Sequence, residues 1–327
     1  MPKPKKTKAA QKAAKKRKAE KAKARMITRS VNVPAALDAP ETRWVVPLIA
    51  TDNETQKRHA VGTAFFIAPD ILLTAWHNIP SLISNIVDNP DIERDSFKWP
   101  ESEVLDFMTI SVLQIIEGGY GLRREVRQVH RSRFSNDIAI LRVWRDETVP
   151  SNTPIEFASL DADPPLIGER IRAFGYAASI AHDGLTADGL LLLGHDPRLA
   201  SGNVKEINEQ GFGSVRPFPY FDVEADFMPG MSGGPVNNLQ GRVCGVVSRG
   251  MGGVPPRSYA ACIWPILGEQ IQWEDFNGGE PFRIMDLVRQ NAPGQDHPYI
   301  RMASFQNYQV GMNEATQLPM EVRRRLD

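Results

Sequence analysis

The segment of this chain best suited to chemistry is Met228-Pro229-Gly230-Met231-Ser232-Gly233-Gly234-Pro235. A serine set among glycines in this order holds a hydroxyl in an exposed, tightly turned loop. Gly230 is free to take backbone angles closed to other residues, and with no side chain its amide can face a reacting carbonyl. The amides of Gly230 and Ser232 are therefore a candidate oxyanion hole. A serine hydroxyl is a poor nucleophile at neutral pH and requires an adjacent base. Upstream, His77 follows the strand-like Ile71-Leu72-Leu73-Thr74-Ala75, and Asp137 heads the apolar run Ile138–Val143. His77 and Asp137 are 60 residues apart, and Ser232 follows Asp137 by 95.

These residues need elements to hold them. Val61–Ile67 reads as a strand, Ala68-Pro69-Asp70 as a turn and Ile71–Ala75 as the next strand. After the serine, Pro235-Val236-Asn237-Asn238 leads through the turn Leu239-Gln240-Gly241 to a strand-like Arg242–Val247. Gly230-Met231-Ser232-Gly233-Gly234 also fits the Gly-x-Ser-x-Gly nucleophile elbow. That motif runs straight into a helix and wants Asp and then His downstream. Here the only downstream histidine is His297, with Asp275 or Asp286 as partners. Strand, turn, strand argues instead for a β-barrel.

Taken in order, Thr74-Ala75-Trp76-His77, Asp137-Ile138-Ala139-Ile140-Leu141 and Gly230-Met231-Ser232-Gly233-Gly234-Pro235 resemble the three signatures of the trypsin-like (chymotrypsin-fold) serine peptidases. The resemblance covers roughly Arg43 to Leu267. It implies an all-β fold of two six-stranded antiparallel Greek-key barrels with the active site between them, plus a C-terminal helix and extension. It also implies a serine endopeptidase. Ser232 would attack the peptide carbonyl, His77 would take its proton and return it to the leaving amine, and Asp137 would hold the imidazole tautomer. Met231 departs from the zymogen-type members, which carry an aspartate there to pair with a newly cleaved N-terminus; no Ile-Val-Gly-Gly start is present either. The Pro-Gly-x-Ser-Gly-Gly form is closer to the bacterial branch, such as glutamyl endopeptidases and high-temperature-requirement proteases.

The resemblance leaves specificity open. Asp226 stands six residues before Ser232, where trypsins place the carboxylate at the pocket floor, which implies cleavage after Lys or Arg. Ser248, Arg249, Gly250 and Arg257 fall where pocket walls are expected. The arginines leave an acidic preference, a small-residue preference or a filled pocket as alternatives. They also motivate a rival reading, a latent or inactive peptidase-fold binding or scaffold protein.

The remaining pattern sets the domain plan. Residues 1–30 hold ten Lys, three Arg and one Glu, a net charge of +12. The rest of the chain has 26 basic against 38 acidic residues, or −12, so a neutral total hides two opposite charges. The stretch 1–25 has almost no apolar residues and reads as a disordered tail able to contact nucleic acid or another polyanion without base specificity. It has no apolar run after its charges, so it does not read as a secretory signal. The plan is a tail at 1–30, a first barrel at 42–150, a second barrel with C-terminal helix at 151–275 and an extension at 276–327. Expected elements include a surface insertion at Ser81–Leu105, a crossing linker at Val149–Pro165, a strand opening at Leu166, a helix at Pro265–Gln272 and helical spacing over Pro281–Asn291. Only Cys244 and Cys262 occur. They read as buried hydrophobes on neighbouring strands, with a bridge left open, and their scarcity favours a reducing, cytoplasmic setting. No metal or organic cofactor is implied, no membrane span is expected, and the expected partner is a protein or peptide substrate.

Overall fold

The computed structural model describes residues 31–34, 39–81, 105, 108–115, 121–132, 136–144, 156–185, 191–212, 216, 218–287, 301–302, 308–312 and 319–324. The tail expected at 1–30 and nearly all of the expected insertion at 81–105 lie outside these residues.

A short strand β1 (Val31–Pro34) precedes the first barrel, which is built from β2 (Val45–Asp52), β3 (Arg58–Phe66), β4 (Ile71–Thr74), β5 (Met108–Ile115), β6 (Gly121–Arg131) and β7 (Ala139–Val143). It closes in the order β2-β3-β4-β7-β6-β5, with every neighbouring pair antiparallel. Side chains alternate across a strand, so a continuous apolar run is explained when both faces are covered. That is the case here. Val46, Leu48, Ala64, Phe66, Leu72 and Leu141 fill the barrel. Their chain neighbours Val45, Phe65, Ile67, Leu73 and Ile140 point outward into a second apolar cluster.

That outer cluster is shared. After a linker strand β8 (Ser159–Leu160), the second barrel comprises β9 (Arg170–Leu185), β10 (Leu191–Asn208), β11 (Tyr220–Glu224), β12 (Pro235–Asn237), β13 (Val243–Gly252) and β14 (Arg257–Cys262). The ring runs β12-β9-β10-β11-β14-β13 and closes through β12–β13. Phe174, Tyr176, Val246 and Ala261 face the first barrel through the shared cluster. Ala173, Ala177, Cys244, Val247, Ala260 and Cys262 fill the second barrel's own interior. Both cysteines are buried and form no disulfide, and burial pushes the Cys244 thiol up. β1 lies antiparallel on β10, and β8 runs parallel to β13.

Three elements differ from expectation. The strand expected to open at Leu166 starts at Arg170, because Leu166–Glu169 form a turn closed by the Glu169 N–H to Leu166 O at 2.9 Å, with Leu166 and Ile167 exposed. The helix expected at Pro265–Gln272 is one turn of 3-10 helix, Trp264–Gly268. The backbone turns extended at Glu269 (ψ 124°) and continues as β15 (Gln270–Ile271). The helical spacing over 281–291 falls first on β16 (Phe282–Arg283), the partner of β15, and then on a 3-10 turn, Ile284–Leu287. Trp273 packs edge to face on Phe276 and Phe282, and the three anchor this C-terminal strap on the shared cluster. Beyond the strap lie β17 (Arg301–Met302), parallel to β8, and the antiparallel pair β18 (Tyr308–Met312) and β19 (Pro319–Arg324). Among the described residues no helix is long and apolar enough to cross a membrane.

Candidate active site

His77 and Asp137 hang from the ends of two paired strands. β4 and β7 meet in the register Thr74↔Ala139, so the residues just past one end and just before the other are brought side by side. The Trp76 N–H donates to Asp137 O at 3.2 Å and fixes the two chains together. The Asp137 carboxylate is then bound at both oxygens: Oδ1 accepts the His77 main-chain N–H at 3.0 Å, and Oδ2 lies 2.8 Å from His77 Nδ1. A carboxylate on Nδ1 keeps the proton there and leaves Nε2 as the basic nitrogen. The Asp137 side chain is 11% exposed and that of His77 41%, so the imidazole presents its outer edge to solvent while its partner is shielded.

Ser232 comes from the loop between β11 and β12. Gly230 and Gly233 sit at φ 90° and 87°, the left-handed region where a side chain is strained. At Gly233 an added Cβ would also lie 2.1 Å from Thr63 O and 2.3 Å from Thr74 Oγ1, so only glycine fits. Between them Met231 roots the loop in the second barrel's interior with its side chain fully buried. The loop is tied to the first barrel by a set of polar contacts. Thr63 Oγ1 donates to Gly230 O at 2.8 Å and accepts the Tyr176 N–H at 2.9 Å. The Thr63 N–H and Asn78 Nδ2 both donate to Ser232 O at 2.9 Å. Among the described residues the amides of Gly230 and Ser232 donate no backbone hydrogen bond.

Ser248, one of the expected pocket-wall residues, has a different place. Its hydroxyl donates to Asp137 Oδ2, and its carbonyl accepts the Ser232 hydroxyl at 3.0 Å. One residue of β13 thus touches both the aspartate and the serine. Arg249 and Gly250, next along the strand, are exposed. So is Asp226. Arg257 pairs with Asp222 at 3.1 Å, and Arg216 approaches the same carboxylate at 3.5 Å while its guanidinium lies 4.2 Å from the Tyr259 ring centre. Burial pushes the Asp222 carboxyl up, against the pull of these two cations. Burial, and then the nearby Asp137 carboxylate, push the Tyr259 phenol up. The structure therefore brings His77, Asp137, Ser232, Gly230 and Ser248 together. Thr63 and Asn78 escaped the sequence reading; the available signal was a polar residue inside the apolar run Val61–Ile67 and one directly after His77. Among the described residues no three His, Cys, Asp or Glu side chains gather at metal-binding distance.

A family model for the trypsin-like peptidase domain matches residues 62–246, which include His77, Asp137 and Ser232. The chain belongs to the trypsin-like peptidase family. Similar solved structures include Deg5, with 18% identity over 69% of this chain and 86% of that one and a TM-score of 0.44. The active form of the Rv3671c protease from M. tuberculosis has 19% identity over 70% and 83% and a TM-score of 0.43. The MamO protease domain from Magnetospirillum magneticum has 16% identity over 68% and 94% and a TM-score of 0.41. No curated protein matches the chain.

Proposed function

We propose that this peptidase is a serine endopeptidase in which Ser232 is the nucleophile, His77 the general base and acid, and Asp137 the group that orients the imidazole. His77 Nε2 takes the Ser232 proton as Oγ bonds to the substrate carbonyl carbon. The carbonyl oxygen becomes an oxyanion facing the Gly230 and Ser232 amides, and the proton passes from His77 to the leaving amine. Water then hydrolyses the acyl-enzyme by the same relay. The observation that carries this reading is the 2.8 Å contact between His77 Nδ1 and Asp137, reinforced by the main-chain N–H of the same histidine. A second reading rests on the Ser232 hydroxyl, which donates to Ser248 O. In that reading the site is at rest, and a substrate or partner must turn the hydroxyl toward His77 before reaction.

A fluorophosphonate probe separates the two. Labelling of the chain that disappears in Ser232→Ala and slows sharply in His77→Ala and Asp137→Asn is the outcome expected of an assembled site. A folded chain that resists labelling until a peptide or partner is added supports the resting reading. Labelling that persists in Ser232→Ala overturns the assignment of the nucleophile.

A further inference from the structure

Glu269 is 1% exposed and ends the 3-10 turn of the C-terminal strap. Its own N–H closes that turn onto Ile266 O at 3.1 Å. Its carboxylate leaves the strap and enters the first barrel at the end of β6. There Oε2 accepts the Ser132 hydroxyl at 3.0 Å, and Oε1 lies 3.3 Å from His130 Nε2. Ser132 is hydrogen-bonded through its N–H to Ile138 O at 3.2 Å, one residue past Asp137. Directly before Asp137, Asn136 Nδ2 donates to Cys262 O at 3.3 Å, just before the strap begins. The chain leading into Asp137 is therefore held, at Ser132 and at Asn136, by chain arriving from the second barrel, the barrel that also carries Ser232.

We infer that Glu269 is a positioning residue for Asp137. This rests on the peptidase reading above. A buried carboxylate is unfavourable unless paired, and an apolar side chain of similar volume fills such a space as well or better. What the carboxylate adds is direction: one oxygen meets His130 on β6, the other accepts from Ser132 just past its end, and the pair fixes this end of the strand relative to the strap. His77 Nδ1 tolerates little displacement of Asp137, since a misplacement of about 1 Å in a catalytic array costs about 10²-fold in rate.

The experiment compares Glu269→Leu, Glu269→Gln and Ser132→Ala in the full chain. Thermal midpoint, kcat and KM on a protein or peptide substrate, and the downfield Nδ1 proton of His77 by NMR are measured together. The NMR signal is read in a Ser232→Ala background, so it reports on the His77–Asp137 bond even in a chain without turnover. Glu269→Leu is expected to lower kcat by about tenfold or more with KM within about twofold, and to shift or broaden the His77 proton. Glu269→Gln keeps an oxygen for the Ser132 hydroxyl and is expected to restore most of kcat. Ser132→Ala moves the same readouts by less and carries the test if Glu269→Leu does not fold. Folded variants with an unchanged His77 proton overturn the inference, whatever happens to the thermal midpoint. Loss of catalysis in the parent with the His77 signal still responding to Glu269 overturns the peptidase reading alone.

Discussion

The two barrels place the residues proposed for catalysis by different physics. In the first, His77 and Asp137 are set by sheet register: β4 and β7 pair directly, and the interior beneath them is filled by large side chains such as Leu48, Phe66, Leu72 and Trp76. In the second, the interior is rich in small residues, Ala173, Ala177, Ala200, Ala260, Cys244 and Cys262 among them. The smaller filling leaves room for Met231, so the serine loop is rooted by one side chain and shaped by two glycines with positive φ. A registered pair tolerates change in its surroundings, because many ladder bonds share the load. A rooted loop depends on a few contacts, and three of those cross to the other barrel.

Substitutions that strike each barrel's device sharpen this contrast. The largest loss is expected for Asp137→Asn. The amide cannot hold the Nδ1 proton as a carboxylate does, and turnover should drop by about 10⁴-fold with the fold intact. Steady-state kinetics beside a circular dichroism spectrum checks it; a drop below tenfold would remove Asp137 from the mechanism. Gly233→Ala comes next. Its Cβ would collide with Thr63 O and Thr74 Oγ1 at a backbone angle already unfavourable for alanine. Stability should fall by roughly 3 kcal/mol, and the activity of the folded fraction by about 10²-fold. Denaturant titration and probe labelling read the two effects. If both are unchanged, the loop is not as tightly seated as the first barrel's pair.

Thr63→Val tests the crossing contacts with little change of shape. It removes the donor to Gly230 O, in a part-buried setting, and the acceptor for the Tyr176 N–H, in a buried one. The expectation is about 2 kcal/mol of lost stability and about a tenfold loss of kcat, with KM little changed. A loss of stability with full kcat would mean that Thr63 joins the barrels without shaping the Ser232 loop.

What could be read from the chain follows the same division. His77, Asp137 and Ser232 stand out because each lies in a short motif whose meaning is local: a strand end, a strand head, a glycine turn. β4 and β7 fall within a residue of their expected bounds, since each is a continuous apolar run next to turn residues. The polar residues that join the barrels are not legible in this way. Ser248 meets Asp137 across 111 residues, and Glu269 meets Ser132 across 137. No local pattern encodes such a pairing. The strap was misjudged as helix for a related reason: Ile266, Leu267 and Ile271 have helical spacing, but Ile271 is claimed by Phe282 in a two-residue ladder.

The smallest change expected is Ser248→Ala, and it divides the work of β13. The side chain of Ser248 serves the first barrel's aspartate, whereas its main-chain carbonyl holds the second barrel's serine. Alanine removes only the former. Asp137 Oδ2 keeps His77 Nδ1, and Oδ1 keeps the His77 N–H, so the carboxylate remains anchored at both oxygens. A hydrogen bond to a charged group contributes about 1.5–3 kcal/mol in general. Here the lost bond is one of three, so the effect on kcat should stay within about tenfold. Probe labelling of Ser232 should follow kcat, because the carbonyl partner of its hydroxyl is untouched. A loss approaching that of Asp137→Asn would mean that the first barrel's pair is not self-sufficient, and that the aspartate is held in place from across the cleft.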